Sequence, residues 1–391
     1  MDRSLTTQQS HAVFPQPTAE EASRQDFVRS LKLHLANKVS TANKLAFEVR
    51  AGRDYLAQTG KPATTYQEIR DAMKHEPYFT FWSAMQRNSQ EMMWKACQLS
   101  VERQLPSLID SARNAGGAGG TLELNPDLET PRYHQAVDIH CMPGGYHSEF
   151  ADDDVANGAV YDRAVYLYAM GRMGECNSDI GDTTIAYLKE HFPALKPARI
   201  LDLGCTVGHS TLPYADAYPE AELHAVDVGA PVLRYAHARA ESMGKKVHFR
   251  QENAEDLSCY EDASFDLIVS HILVHETSHK AMRNIMAECR RLLKPGGVVI
   301  HAETPPYRDL PAYDAFMLDW DTRNNNEPYW GASHEIEPAA IAGETGFDPE
   351  KAFEGYQPSA FEAAEAKRAR VFQGGDFGGG GVWYLWGAVK D

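Results

Sequence analysis

Positive charge is scarce in this sequence. Thirty-eight Lys and Arg residues face 55 Asp and Glu, giving a formal net charge of −17 over 391 residues. Such a chain repels phosphate backbones and anionic lipid head groups, which argues against nucleic acid and membrane surfaces as partners. Cysteine is sparse as well. Cys97, Cys141, Cys176, Cys205, Cys259 and Cys289 form no CxxC pair, a pattern of reduced thiols in a cytoplasmic protein rather than of a disulfide frame or zinc knot. No apolar run approaches the ~18 residues that span a bilayer, and the first residues carry neither an apolar signal core nor an Arg-rich transit pattern. No targeting segment is expected.

What is present is a 43% hydrophobic content, enough for one large domain with an appendage or for two modest domains. Residues 1–25 are polar and aperiodic and predict a flexible tail. Residues 26–115 predict a helical domain. Val28, Leu31, Leu35, Val39, Ala42, Ala46 and Val49 fall at helical spacing, and after Pro77 a second stripe runs through Tyr78, Trp82, Met85, Ser89, Met92, Ala96 and Leu99. This Met and aromatic stripe is expected in a core or a dimer contact rather than in a site. The glycine-rich stretch 114–120 predicts a flexible linker. Residues 116–160 read as an irregular segment that holds a dense polar cluster at 138–147, with Asp138, His140, Tyr146 and His147 around a Pro-Gly-Gly turn, and a solvated acidic run at 152–154. From residue 161 onward helical stretches alternate with short β-branched runs, which predicts a parallel sheet covered by helices.

Four signals then follow in order. The stretch 199–210 is a strand that runs straight into a glycine-punctuated turn with Gly204 and Gly208, and a helix follows. A second strand, Glu222–Asp227, ends in an acid where a doubly wound fold grips a ribose diol. A strand over 246–251 leads to Asn253 and Ala254, and another over Phe265–His271 precedes a helix; Lys294-Pro-Gly-Gly297 turns the chain into a fifth strand over 298–301. A nicotinamide-dinucleotide site fits poorly. Cys205 and Thr206 follow Gly204 where a Gly-x-Gly-x-x-Gly turn is required, and Asp202 would repel a pyrophosphate but attract a cationic amino-sulfonium ligand.

Over residues 161–391 the sequence resembles the class I S-adenosylmethionine-dependent methyltransferase superfamily. The resemblance implies an α/β fold, a Rossmann-like seven-stranded sheet whose last strand is 382–390, behind the N-terminal helical domain. It implies S-adenosyl-L-methionine as cofactor. Gly204, Cys205, Thr206 and Gly208, with Asp202, would face its methionine moiety. Asp227 and Val228 would bind the ribose, and Asn253 and Ala254 the adenine. Ser270, Tyr168 and Arg172 complete the expected cofactor residues, Tyr168 and Arg172 from the helix before the glycine strand.

Ligands in such sheets lie beyond the carboxyl ends of the strands, so the segment after the fourth strand belongs beside the reacting methyl. His275 is the first choice as base there, with His271, Tyr146 and His147 as further catalytic candidates. His271, His275 and His279 at spacing four raise a metal site, but without an HExxH or second carboxylate pattern no metal is expected. The expected reaction is methyl transfer to a small molecule, with oxygen as the favoured acceptor atom and the helical domain capping the pocket or pairing two subunits as a homodimer. Two alternatives remain open. The cofactor could itself be consumed by cyclisation or aminobutyrate transfer with release of methylthioadenosine, or the chain could be a non-catalytic binding partner. The glycine-rich run 374–381 predicts a hairpin loop.

Overall fold

The structure, a computed structural model, describes residues 7–361 and 381–391. Its centre is an eight-stranded sheet: β1 (Thr121–Glu123), β2 (Arg199–Leu203), β3 (Glu222–Asp227), β4 (His248–Gln251), β5 (Phe265–His271), β6 (Leu293–Glu303), β7 (Ala352–Pro358) and β8 (Val382–Val389), in the order β1-β4-β3-β2-β5-β6-β8-β7. All neighbours are parallel except β8, which runs antiparallel to both β6 and β7. The seven expected strands are present. The eighth, β1, pairs with β4 at the edge, and at three residues, directly after the glycine-rich stretch, it is too short to give a strand signal in the sequence.

Alternate side chains of the central strands enter two cores, as strands covered on both faces require. Ile200, Leu223, Ala225, Leu267 and Val269 pack under the helices Asp179–His191 and Ala230–Ser242. Leu201, Leu203, Val226 and Ile268 pack against Met282, Ile285 and Met286 of the helix His279–Leu292. The strands therefore end together at one edge, where β2, β3 and β5 deliver Asp202, Asp227 and His271.

Helices form a roof over that edge. Val28 from the helix Ala19–His34 and Met93, Trp94 and Cys97 from the helix Pro77–Arg113 pack on the helix Ala156–Tyr168. Ile69, Met73 and Trp82 pack instead on Phe316, Met317 and Trp320 from the segment between β6 and β7. Arg70 closes this second contact with Asp319 at 2.7 Å.

Four expectations need correction. The described part of the predicted tail is packed. A capping box between Thr18 and Glu21 starts a helix at Ala19, and Gln8 and His11 hydrogen-bond to Asp162 at 2.9 and 2.8 Å. The linker is pinned, because the Glu241 carboxylate accepts the backbone N–H groups of Ala118, Gly119 and Gly120 at 2.7, 3.4 and 2.6 Å. In the acidic run Asp154 is buried and accepts the N–H groups of Phe150 and Ala156 at 2.6 and 2.7 Å. The helix Ala156–Tyr168 also crosses the expected boundary at 160. The predicted loop at 374–381 lies outside the described residues except for Gly381. No helix among the described residues is long and apolar enough to cross a membrane.

Candidate active site

After β2 the chain turns through Gly204 at φ +69° and Gly208 at φ +77°, a left-handed backbone that glycine adopts without penalty. A Cβ on Gly204 would meet Leu273 Cδ1 at 2.7 Å, so the turn accepts no side chain unless Leu273 moves. Thr206 between them is left-handed at φ +48°, a strained state for a β-branched residue. Its N–H donates to Asp227 Oδ2 at 3.0 Å, and the Gly229 N–H donates to Oδ1 at 2.9 Å. Burial raises the Asp227 carboxyl above its ordinary value of 3.8, partly offset by these backbone donors.

Two cavities meet at this turn. One, of about 770 Å³, runs over Asp227, Val228, Asn253 and Ala254 and is bounded by Tyr146 and Leu273. The other, of about 890 Å³, runs from Asp202 and Cys205 to Trp94, Tyr168 and Trp383. His140, Tyr161, Gly204, Thr206, His271 and Ile272 line both. The structure thus gathers nine of the twelve expected cofactor residues in the two walls. Three lie elsewhere. Ser270 is buried within β5 with its Oγ 2.7 Å from His301 Nδ1, Gly208 sits one turn back with its carbonyl accepting from Arg239 at 3.3 Å, and Arg172 is in the turn after its helix, outside both walls.

The catalytic candidates divide similarly. His271 stands at the junction, with Nε2 3.1 Å from Tyr214 Oη and Nδ1 3.3 Å from Asp202 Oδ1. Tyr146 lines the Asp227 cavity, and burial holds its phenol well above 10. His147 lines neither cavity; it lies against His134, ring centroids 5.6 Å apart, and burial lowers its pKa. His275 is the clearest correction. It is 1% exposed and lines neither cavity, because Val274–Glu276 is one 3-10 turn that tucks it inward before the helix restarts at His279. Spacing four therefore places His271, His275 and His279 in three environments, and His279 is exposed with Nε2 3.1 Å from the Ala332 carbonyl.

Behind the shared wall lies a buried group of imidazoles and carboxylates. His140 Nε2 is 2.9 Å from Glu276 Oε1, and its Nδ1 is 2.9 Å from Glu327 Oε1. His275 Nδ1 is 2.8 Å from Glu303 Oε2, while its Nε2 points between Glu276 Oε1 at 3.9 Å and Glu327 Oε2 at 4.0 Å. His140 is left-handed at φ +54°, as is Cys141 at +59°. Trp94 Nε1 and Gln90 Nε2 fix it by donating to its carbonyl at 2.7 and 3.1 Å. Burial opposes charge on both imidazoles, yet Glu327 and Glu276 hold His140 well above 6.5 and Glu303 raises His275. Burial and the neighbouring Glu327 push Asp321 up to about 8. The sequence points to His140 only as a member of the 138–147 cluster. Glu276 and Glu303 carry a weak signal, one adjoining His275 and the other ending β6, and Glu327 carries none.

A family model described as a methyltransferase domain matches residues 200–297. The chain is 31% identical over 129 residues to a ubiquinone biosynthesis O-methyltransferase of Alkalilimnicola ehrlichii, covering 32% of this chain and 51% of that one. It is 32% identical over 122 residues to a demethylmenaquinone methyltransferase of Thermus thermophilus, covering 31% and 52%. It spans about half the length of these relatives. Among solved structures, a protein of Pyrococcus horikoshii is 29% identical over 35% of this chain and 61% of that one, with a TM-score of 0.31. Residues 200–297 are thus similar to a methyltransferase domain, and the curated relatives that this part of the chain matches are themselves methyltransferases.

Proposed function

We propose that this chain transfers a methyl group from S-adenosylmethionine to a small molecule, with an acceptor oxygen favoured. The observation that carries the reading is the meeting of two cavities at Gly204 and His271, one ending on Asp227 and the other walled by Trp94, Tyr168 and Trp383. The residues fit the cofactor: Gly204 and Thr206 line both cavities, and Asp202 Oδ1 is buried beside them without a hydrogen-bond partner. The sulfonium supplies an already activated methyl group.

In this reading Asp227 binds the ribose hydroxyls as a carboxylate, and Val228, Ala254 and Leu273 cover the adenine. Asp202 faces the cationic amino acid end. Trp94, Tyr168 and Trp383 align an apolar, planar acceptor and exclude water; positioning of that kind is worth up to about 7–11 kcal/mol. Both nitrogens of His271 are close to protein partners, so its part is to hold the wall at the junction. The setting is cytoplasmic, and two copies pair through the N-terminal helices, where Phe27, Leu45 and Phe81 are exposed.

The test is mass spectrometry of the purified chain incubated with S-adenosylmethionine, alone and with a metabolite pool. S-adenosylhomocysteine that forms only with the pool, together with a product heavier by one methylene, is the expected result. Methylthioadenosine without an acceptor would overturn the reading.

A further inference from the structure

Behind the wall that the two cavities share lies a defect that ion pairing leaves open. His275 Nε2 and Glu327 Oε2 are buried and lack a hydrogen-bond partner, although only 4.0 Å separates them. Both residues are 1% exposed. A buried polar atom left unpaired costs about 1–3 kcal/mol, so two of them facing one gap mark a missing ligand. A hydrogen bond between them would have closed the gap to about 2.9 Å.

The atoms around the gap are two imidazole nitrogens and two carboxylate oxygens. One donor atom each from His140, His275 and Glu327 lie within 4.8 Å of one another, and Glu276 Oε1 adds a fourth, 2.9 Å from His140 Nε2 and 3.9 Å from His275 Nε2. Metal bonds of about 2.0–2.2 Å to nitrogen and oxygen put neighbouring ligands about 3–3.6 Å apart. The observed separations bracket that range. The second shell is also in place: the far nitrogen of His275 faces Glu303 Oε2 at 2.8 Å, the carboxylate-to-imidazole contact that fixes the tautomer of a metal-bound histidine. Three carboxylates, Glu276, Glu303 and Glu327, surround two imidazoles, so negative charge remains even with both rings protonated.

We propose that His140, His275, Glu276 and Glu327 bind one divalent first-row transition-metal ion behind the shared wall, with Glu303 positioning His275. Mixed imidazole and carboxylate donors select such an ion over magnesium or calcium. Its site does not depend on the methyl-transfer reading. If that reading holds, His140 and Glu276, which line the Asp227 cavity, bring the ion to the cavity surface, where an acceptor oxygen could complete its coordination and lose its proton more readily.

The full chain, stripped with chelator and dialysed, is titrated calorimetrically with Zn²⁺, and its metal content is measured by plasma mass spectrometry. One equivalent is expected, with affinity reduced about 100-fold or more in His275→Gln and in Glu327→Gln and unchanged in His279→Ala, whose imidazole lies outside the group. Failure of the unaltered chain to retain Zn²⁺, or equal retention by the two cluster variants, would overturn the proposal. If those variants do not fold, the Co²⁺ form of the unaltered chain decides. A paramagnetically shifted, exchangeable imidazole N–H resonance, assigned to the His275 Nδ1 proton, supports the site, and its absence rejects it. These readouts are independent of methyl transfer, so an inactive but metal-loaded chain separates failure of one reading from failure of the other.

Discussion

Asp162 Oδ2 lies 2.8 Å from His11 Nε2, tying the first described turn of the chain to a helix 151 positions later. The same carboxylate accepts from Tyr235 Oη at 2.7 Å, and its other oxygen is 2.7 Å from His209 Nε2 and accepts from Gln8 at 2.9 Å. His209 follows the Gly204 turn and Tyr235 belongs to the helix after β3. One buried acid therefore joins the N-terminal segment, the roof helix and the half of the sheet that carries the Gly204 turn.

Removing its charge should be costly. Burial alone would raise the Asp162 carboxyl, but the hydrogen bonds from His11 and His209 hold it well below 3.8. A depressed carboxyl stabilises the fold above its unfolded value, and the contribution is lost as pH falls through the folded one. Its charged partner is Arg239, whose Nε lies 3.8 Å from Oδ2, so Asp162→Asn should cost about 3 kcal/mol at pH 7, as for breaking a buried charge pair. It should also expose residues 7–14 to limited proteolysis. Urea unfolding checks the first effect, and an unchanged midpoint would remove Asp162 as the joint.

Lys32 gives a pH dependence of opposite origin. It is buried, donates to Gln90 Oε1 at 2.9 Å, and lies 4.9 Å from the centre of the Tyr168 ring. Burial lowers its pKa from 10.5 to about 8. Below pH 8 both folded and unfolded chains carry the proton and the folded state bears the penalty. Between 8 and 10.5 the unfolded chain binds more protons, so stability rises with pH. The stability of the unaltered chain minus that of Lys32→Met should therefore increase by about 3 kcal/mol from pH 7 to 10.5. A difference that stays flat over that range would mean that Lys32 is solvated.

The strands that carry Asp202, Asp227 and His271 were legible because parallel strands buried on both faces are short and mostly apolar, each ending at a polar residue or a glycine turn, and β3 and β5 have the expected bounds. The roof was less so. The 37-residue helix Pro77–Arg113 has two successive partners, so its buried stripe shifts from Trp82 to Met93, Trp94 and Cys97, while Met92 is 39% exposed. A single helical stripe cannot describe that switch, and it hid Trp94 and Gln90 as cavity residues. His275 was misplaced for a related reason: one 3-10 turn reverses the direction that helical spacing assigns. Glu327 and His140 meet only through tertiary packing, 187 positions apart in a chain with no local motif at the acid.

Gly204→Ala tests the turn. The new Cβ would strain a backbone at φ +69° and meet Leu273 Cδ1 at 2.7 Å, which should cost about 1–2 kcal/mol of stability. Leu273 also lines the Asp227 cavity, so its displacement should weaken S-adenosylhomocysteine binding about tenfold or more. Calorimetric titration of the folded variant reads this directly, and an unchanged Kd would show that the turn does not contact the cofactor.

Asp227 should bind ribose only when ionised. Each of its oxygens already accepts one backbone N–H, from Thr206 and from Gly229, and a carboxylate has lone pairs left for two hydroxyl donors. Asp227→Asn removes the charge and turns an amide donor toward one of those N–H groups, so affinity for S-adenosylhomocysteine should fall about 10- to 100-fold, the loss of a charge-assisted hydrogen bond. Because burial raises the free carboxyl above 3.8, affinity of the unaltered chain should already decline on acidification above that pH, as protonation removes the acceptor. The Asn variant has no such group and should show a flatter profile. Titrations from pH 7 down to the limit of folding check both arms, and parallel profiles for the two proteins would remove Asp227 from the ribose site.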